Sequence, residues 1–399
     1  MPELLAPVRD EVSFRAAVAA GADAVYFGLG QLNMRVNSKG IDLAILPEII
    51  EFAHSQNVKV YITLNVIVYD TEIDGLDSLL AQCKQVGVDA IICWDPAVIE
   101  LCKKHNLEIH ISTQASVSNA IAANHYKSLG AERVVPAREL DLEQIAVLKN
   151  NSDIELEVFI HGAMCVSVSG RCFMSQFIHG RSANRGDCLQ PCREKFQISS
   201  EESDGEFEIG SGYVMSPKDL CSLPILDRII ATGVDALKIE GRSRAPEYIA
   251  KVVSVYRRAI DAIQVGNFNE TLVESLMTEL KQVYNRGFSK GFLFGQPGPQ
   301  DWADRRNSQA TEKKLYAGKL LNFYRKSNIA HCRVEALDLA VGDKIQVHGR
   351  VTGVVELVIS EMRDDDGNSI SSVHRGTMTF PSETILRNND LVYKIVPTV

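Results

Sequence analysis

The sequence predicts an α/β chain: a (β/α)8 TIM-like barrel with a cysteine-bearing insertion, followed by a small C-terminal antiparallel β-barrel. Three observations carry that prediction. Eight short, nearly continuous apolar runs recur over the first 240 residues, separated by segments with apolar residues at helical spacing. Such runs are buried on both faces and belong to a parallel sheet covered by helices, and eight of them favour a closed barrel. From Leu315 onward the runs become short and alternating, the mark of antiparallel strands with one wet face. No GxGxxG follows the first run, which removes the dinucleotide fingerprint of an open doubly wound sheet.

In chain order the predicted barrel strands are ELLAP (3–7), ADAVYFG (22–28), VKVYITLN (58–65) and DAIICWD (89–95), then LEIHISTQ (107–114), RVVPAR (133–138), IELEVFIHG (154–162) and VDALKIEG (234–241). Between them, segments such as EVSFRAAVAAG and LDSLLAQCKQVG close on a glycine, which ends a helix at no steric cost. APEYIAKVVSVYRRAIDAI reads as a long helix packed on the barrel. NRGFSKGFLFGQPGPQDW (285–302) is rich in Gly and Pro and leaves it. The expected domains are a barrel over 1–290 with its insertion at about 162–215, a linker over 291–314, and the small β-barrel over 315–399. In the last, GKLLNFY, IAHCRVE, DKIQVHG, VTGVVELVI and LVYKIV are strands. DDDGNS (364–369) is a turn, because a calcium loop would need a later ligating Glu.

Apolar content of 45% and charged content of 23% are ordinary for a globular chain. No stretch approaches the roughly 20 apolar residues that span a bilayer. The start, MPELLAPVRD, lacks the long apolar run of a secretory signal. The expected location is the cytoplasm, with no membrane partner. A net charge of −9 argues against a surface coated for nucleic acid, yet Trp302 to Lys326 holds seven basic residues against two acids. That surplus suits either phosphate contact or a solvated linker face.

A barrel does its chemistry at the C-terminal strand ends. Polar residues collect there: Asn65 after the third strand, Asp95 after the fourth, Gln114 after the fifth, Arg138 and Glu139 after the sixth, His161 after the seventh, Glu240 and Arg242 after the eighth. Arg35 sits in the loop after the second. Singly, each is an ordinary loop or capping residue. Together they make a pocket for a small anionic ligand. His161, Glu240 and Gln114 are its candidate catalytic groups, and Arg35, Asn65, Arg138 and Arg242 its candidate substrate-binding groups, the arginines as bidentate carboxylate clamps.

The loop after the seventh strand is the longest interruption of the pattern, and it carries Cys165, Cys172, Cys188 and Cys192. Their spacing is C-x6-C-x15-C-x3-C. A structural zinc site presents a tight pair on each side, and only Cys188–Cys192 has that form. Iron–sulfur sites accept looser spacing. Glycines 162, 170 and 186 let backbone approach closely, and Arg171, Arg185 and Arg193 can offset thiolate charge. An iron–sulfur cluster, a zinc ion and a redox or buried-thiol site all remain open on chemistry alone. Cys83, Cys93, Cys102 and Cys332 lie in apolar patterns and read as small buried hydrophobes.

EVFIHGAMCVSVSGRCFMS (157–175) resembles the signature of the U32 peptidase family, the collagenase-like proteases, at Glu157, Phe159, Gly162, Ala163, Met164, Cys165, Gly170, Cys172, Met174 and Ser175. LLAPV, GADAVYFGL, STQAS, NRGDC with PCR, LKIEGR and YNRGFSKGFL resemble further landmarks in family order, over about residues 1–295. The resemblance implies one of two activities. One is proteolysis, although the chain has no HExxH and no GxSxG. The other is that of the tRNA-hydroxylating members, which make 5-hydroxyuridine at the wobble position with prephenate as a linked metabolite. It implies a 4Fe–4S cluster on Cys165, Cys172, Cys188 and Cys192, with Cys221 in reserve for Cys192. tRNA, a small carboxylic acid and a partner protein of the same family are the implied partners. A zinc-stabilised, non-catalytic RNA-binding protein stands as the further alternative.

Overall fold

The computed structural model describes residues 1–30, 32–34, 41–200 and 207–398. Among them, eight parallel strands close into a barrel: β1 (Glu3–Pro7), β2 (Ala24–Gly28), β3 (Lys59–Leu64), β4 (Ala90–Cys93), β5 (Glu108–Ile111), β6 (Arg133–Val134), β7 (Glu155–Gly162) and, after the cysteine-bearing insertion, β11 (Ala236–Ile239). Each pairs with its neighbour in sequence order. β11 closes the cylinder by pairing with β1 (Leu4↔Leu237) and with β7 (Leu237↔Val158). All eight runs expected from the sequence are these strands.

Alternation along each strand divides its side chains between two cores. Leu4, Ala6, Val25, Phe27, Val60, Ile62, Ile91 and Cys93 face the helices, while Leu5, Ala24, Tyr26, Tyr61, Ala90 and Ile92 fill the barrel. The covering helices are α1 (Glu11–Ala19), α2 (Leu46–Ser55), α3 (Ile73–Val86), α4 (Pro96–Lys104), α5 (Ala120–Ser128) and α6 (Leu142–Asn150), followed beyond the insertion by α8 (Leu226–Ala231) and α9 (Pro246–Gln264). Their starts are written in the sequence. Asp10, Asp95, Asn119 and Asp141 each accept a hydrogen bond from the first turn of the helix that follows. Asp95 is thereby a cap and not a cavity residue.

Inside the barrel the same alternation places charge where apolar residues are usual. Glu157 on β7 is fully buried and accepts hydrogen bonds from Lys238 Nζ at 2.6 Å and from Arg133 at 3.3 Å. Arg133 also reaches Glu3 at 2.6 Å and Glu155 at 2.8 Å. Burial opposes ionisation of Glu157, but Lys238 and Arg133 overcome it and hold its carboxyl below the usual range.

The insertion holds α7 (Met174–His179), an antiparallel pair β8 (Phe196–Ser200) and β9 (Phe207–Gly212), and β10 (Asp219–Cys221). β10 runs antiparallel to β7 and pairs in turn with β12 (Phe288–Ser289), which follows α10 (Glu270–Gln282). A buried ion pair, Arg286 to Asp219 at 2.8 Å, locks that addition. The Gly/Pro-rich segment then packs on the rim: Lys218 N–H donates to the Asp301 carbonyl and Ala303 N–H to that of Ser216, both at 2.8 Å.

The C-terminal part is an antiparallel sheet. Its strands are β13 (Glu312–Tyr324), β14 (Ile329–Val334), β16 (Lys344–Gly349), β17 (Gly353–Val358), β19 (Gly376–Pro381) and β20 (Leu391–Pro397), in the order β17-β16-β20-β13-β14-β19 among the described residues. A short pair, β15 (Leu339–Ala340) with β18 (Ser372–Val373), flanks it. It has its own core around Leu320, Val347, Met378 and Phe380. It meets the barrel through the ion pairs Arg350–Glu11, Lys251–Glu356 and Lys314–Glu247. Three of the seven basic residues over 302–326 have acidic partners: Arg306 pairs with Glu194 of the insertion, Lys314 with Glu247 of α9 and Lys319 with Glu335 beside β14.

Candidate active site

One cavity opens at the C-terminal end of the barrel, enclosing about 890 Å³ with its mouth included. Its lining brings together Cys165, Cys172, Cys188 and Cys192 with Asn65, Gln114, Arg138, Glu240 and Arg242. Arg35 lies outside the described residues. His161 and Cys221 stand elsewhere. Residues not singled out from the sequence complete the wall, notably Lys238, Tyr26, Thr63 and Ser112. Inward parity on their strands was the signal that marks them.

The polar wall is held in place by hydrogen bonds. Asn65 Nδ2 donates to Ser112 Oγ at 3.2 Å and to Gln114 Oε1 at 3.4 Å, and Ser112 donates to the same Gln114 oxygen. The Trp94 indole donates to the Asn65 carbonyl at 3.0 Å. Arg242 donates to Thr63 Oγ1 at 2.8 Å. Tyr26 lies between the strands, its hydroxyl 2.8 Å from the Ile239 carbonyl and 3.2 Å from Glu240 Oε2. Arg138 stacks over the Phe159 ring at 4.0 Å and donates to the Ala163 carbonyl at 3.3 Å. Lys238 Nζ sits 4.3 Å from the Tyr26 ring centre, and the Glu157 carboxylate offsets the cost of its burial. Three cations therefore stand around one small space with Glu240 as the carboxylate among them.

The four cysteines line the same cavity. All are thiols rather than disulfide halves. Met174 N–H donates to Cys172 Sγ and Gln190 N–H to Cys188 Sγ, each at 3.3 Å, so both sulfurs have a main-chain donor beside them. Burial pushes the Cys192 thiol up, Arg193 beside it pulls it down, and Cys165, Cys188 and Cys172 push it up again, so the four sulfurs feel one another. Among the described residues no three His, Cys, Asp or Glu side chains are gathered tightly enough for a single metal ion. A cubane cluster holds its thiolates farther apart than one tetrahedral ion does. Four cysteines lining one cavity, with N–H donors to sulfur and an adjacent guanidinium, are a donor set that suits such a cluster.

His161 is displaced by a β-bulge. Along β7 and β11 the register steps from Lys238↔Phe159 to Ile239↔His161, so β7 carries one extra residue at Ile160. A bulge puts two successive side chains on one side of the sheet. Ile160 and His161 both turn outward, where Tyr256 of α9 donates to the Ile160 carbonyl at 3.0 Å and lies 3.3 Å from His161 Nδ1. His161 is a buried packing residue, 2% exposed, and not a cavity acid or base. Cys221 pairs in register with it and is buried likewise, its sulfur 3.7 Å from Met277 Sδ and outside the cavity lining. It has no place beside the other four. Gly162 lets the chain turn back over the rim. Its φ is +110°, and a Cβ there would lie 2.2 Å from the Glu240 carbonyl.

Burial lowers the His161 pKa from 6.5 to about 3. The unfolded chain binds this proton below about pH 6.5 and the folded chain does not, so stability falls as pH drops through that window. At pH 5 the loss is about 2 kcal/mol relative to pH 7.5. A His161→Phe variant is expected to lose less melting temperature than the parent between those pH values, measured by thermal melts in parallel.

Fold and site together define a class: a (β/α)8-barrel protein with a thiol- and cation-lined cavity at its C-terminal rim. Residues 10–303 match the profile of peptidase family U32, and the chain belongs to that family. A protein of Porphyromonas gingivalis named collagenase is 35% identical, over 98% of this chain and 97% of its own. The tRNA hydroxylation protein P1 of Bacillus subtilis is 34% identical, over 93% of this chain and 89% of its own. The 23S rRNA 5-hydroxycytidine C2501 synthase of Escherichia coli is 38% identical, over 74% of this chain and 46% of its own.

Proposed function

We propose that this chain is an RNA-modifying enzyme that hydroxylates the wobble uridine of tRNA to 5-hydroxyuridine. In this reading Cys165, Cys172, Cys188 and Cys192 hold a 4Fe–4S cluster, and a small carboxylic acid such as prephenate binds beside it. Two relatives carry names of RNA hydroxylation, one on tRNA and one on ribosomal RNA. The observation that carries the reading is the shared cavity, which the four thiols line together with Arg138, Lys238 and Arg242. When bound, the cluster supplies redox chemistry that no side chain here can. The chain's own residues bind and orient. Arg242, braced by Thr63, and Arg138, stacked on Phe159, receive a carboxylate. Glu240 with the Tyr26 hydroxyl handles protons, and the Asn65–Ser112–Gln114 cluster fixes the acid's polar groups.

An Arg242→Ala variant is expected to bind a small dicarboxylate about ten-fold more weakly, measured by calorimetry, with its cysteine wall unchanged. Equal affinity would remove Arg242 from the acid site. The peptidase reading draws on a relative's name. A Cys–His nucleophile finds no support at the cavity, because His161 faces away from it. Peptide cleavage that survives replacement of all four cysteines would favour that reading instead.

The direct test is nucleoside mass spectrometry of tRNA from a strain lacking the gene. Hydroxylated wobble uridine should disappear, return with the intact chain and not return with Cys165→Ser. Normal levels without the gene, in a strain with no second pathway, would overturn the proposal.

A further inference from the structure

A second cavity lies against the first, enclosing about 960 Å³ with its mouth included. The two share Arg138, Cys165, Val166, Ser167 and Gly170, so these residues form a partition between them. Their characters differ. The first is thiol and cation. The second is walled by Trp302 and Phe292, with Pro217, Pro297 and Met164 around them, and its charged residues balance, Arg138 and Lys218 against Glu139 and Asp301. Its aromatic wall comes from the Gly/Pro-rich segment, held to the rim by the bridge between Pro217 and Trp302.

Two polar atoms on the partition have no hydrogen-bond partner among the described residues, although both are buried: Ser167 Oγ and Arg138 Nε. Unsatisfied buried groups are costly, and a ligand edge or an ordered water that a ligand displaces can satisfy them. Gln296 adds an amide that offers both donor and acceptor. A largely apolar cavity whose cations are matched by acids fits a neutral heteroaromatic ring better than it fits an anion. Enzymes that modify a base take it out of the stack and hold it between aromatic or apolar side chains.

We propose that this second cavity seats the target base of an unpaired RNA loop, with Trp302 against the ring and Ser167 and Gln296 on its edge. The inference rests on the RNA-hydroxylation reading above and adds where the base goes. The acid occupies the cationic cavity, the base occupies the aromatic one, and Cys165 stands between them.

The test compares two stem–loops, one with uridine at the loop position and one abasic there, binding to the full chain prepared anaerobically and read by fluorescence anisotropy. The intact chain should bind the uridine loop about ten-fold more tightly than the abasic one, as loss of one base–aromatic stack implies. Trp302→Ala should erase that difference by weakening only the uridine loop. Ser167→Ala, which removes a single oxygen and leaves the segment's packing alone, should narrow it a few-fold. Equal losses on both RNAs, or none, would overturn the base seat. If the intact chain binds both loops equally, the seat fails while RNA binding stands. If it binds neither, the RNA reading fails and the seat with it.

Discussion

A Cys172→Ser variant is expected to fold normally and to leave hydroxylated uridine at background in a complemented strain. Cys172 is partly exposed on the insertion and is not part of either main core, so its removal should cost no more than about 0.5 kcal/mol. Its sulfur has a specific setting nonetheless. It accepts from Met174 N–H, and its own N–H donates to Asn184 Oδ1 at 3.0 Å. An alkoxide is a poor substitute for a soft thiolate at iron. The expected split is therefore an unchanged unfolding midpoint with activity lost. Cys221→Ser should behave in the opposite way, keeping activity, because that thiol packs against Tyr256 and Met277 behind the barrel wall. If Cys221→Ser abolished product and Cys172→Ser did not, the ligand assignment would be wrong.

The second large effect concerns stability. Glu157→Ala leaves Lys238 in the barrel with its carboxylate gone and takes one of the carboxylates from Arg133. Removing one partner of a buried pair costs about 3–5 kcal/mol, because the other charge stays behind without its partner. Urea unfolding should show it as a lower midpoint. Replacing Glu157 by Leu and Lys238 by Met together should recover much of the loss, since Arg133 keeps Glu3 and Glu155. The sign of the pH dependence follows from the depressed Glu157 carboxyl. Its contribution is present above the unfolded value of 4.5 and is lost as pH falls through the lower folded value. A Glu157→Ala variant as stable as the parent would show that the network is not what holds Lys238 at the cavity floor.

Much of this architecture was legible in the residues. The eight apolar runs are the eight barrel strands, because parallel strands buried on both faces leave an unambiguous pattern. Strand ends pointed to Asn65, Gln114, Arg138, Glu240 and Arg242, and the structure gathers them on one cavity with the four cysteines. Lys238 and Tyr26 escaped notice because they lie within strands rather than at their ends. Period-two alternation would have placed both inside the barrel. His161 could not have been placed that way, since the same alternation pointed it inward and a single-residue bulge reversed it. The segment after residue 285 was opaque for another reason. Its glycines and prolines signal turns but not what the turns embrace, and here they bring Phe292 and Trp302 against the cysteine segment.

What the four thiols hold decides the chemistry of this cavity. Iron and acid-labile sulfide should be assayed on anaerobically purified chain, beside Cys188→Ser and Cys221→Ser variants. About four irons and about four sulfides per chain are expected for the parent and for Cys221→Ser, and a marked loss of both for Cys188→Ser. Zinc without sulfide, or iron that is indifferent to Cys188, would contradict it.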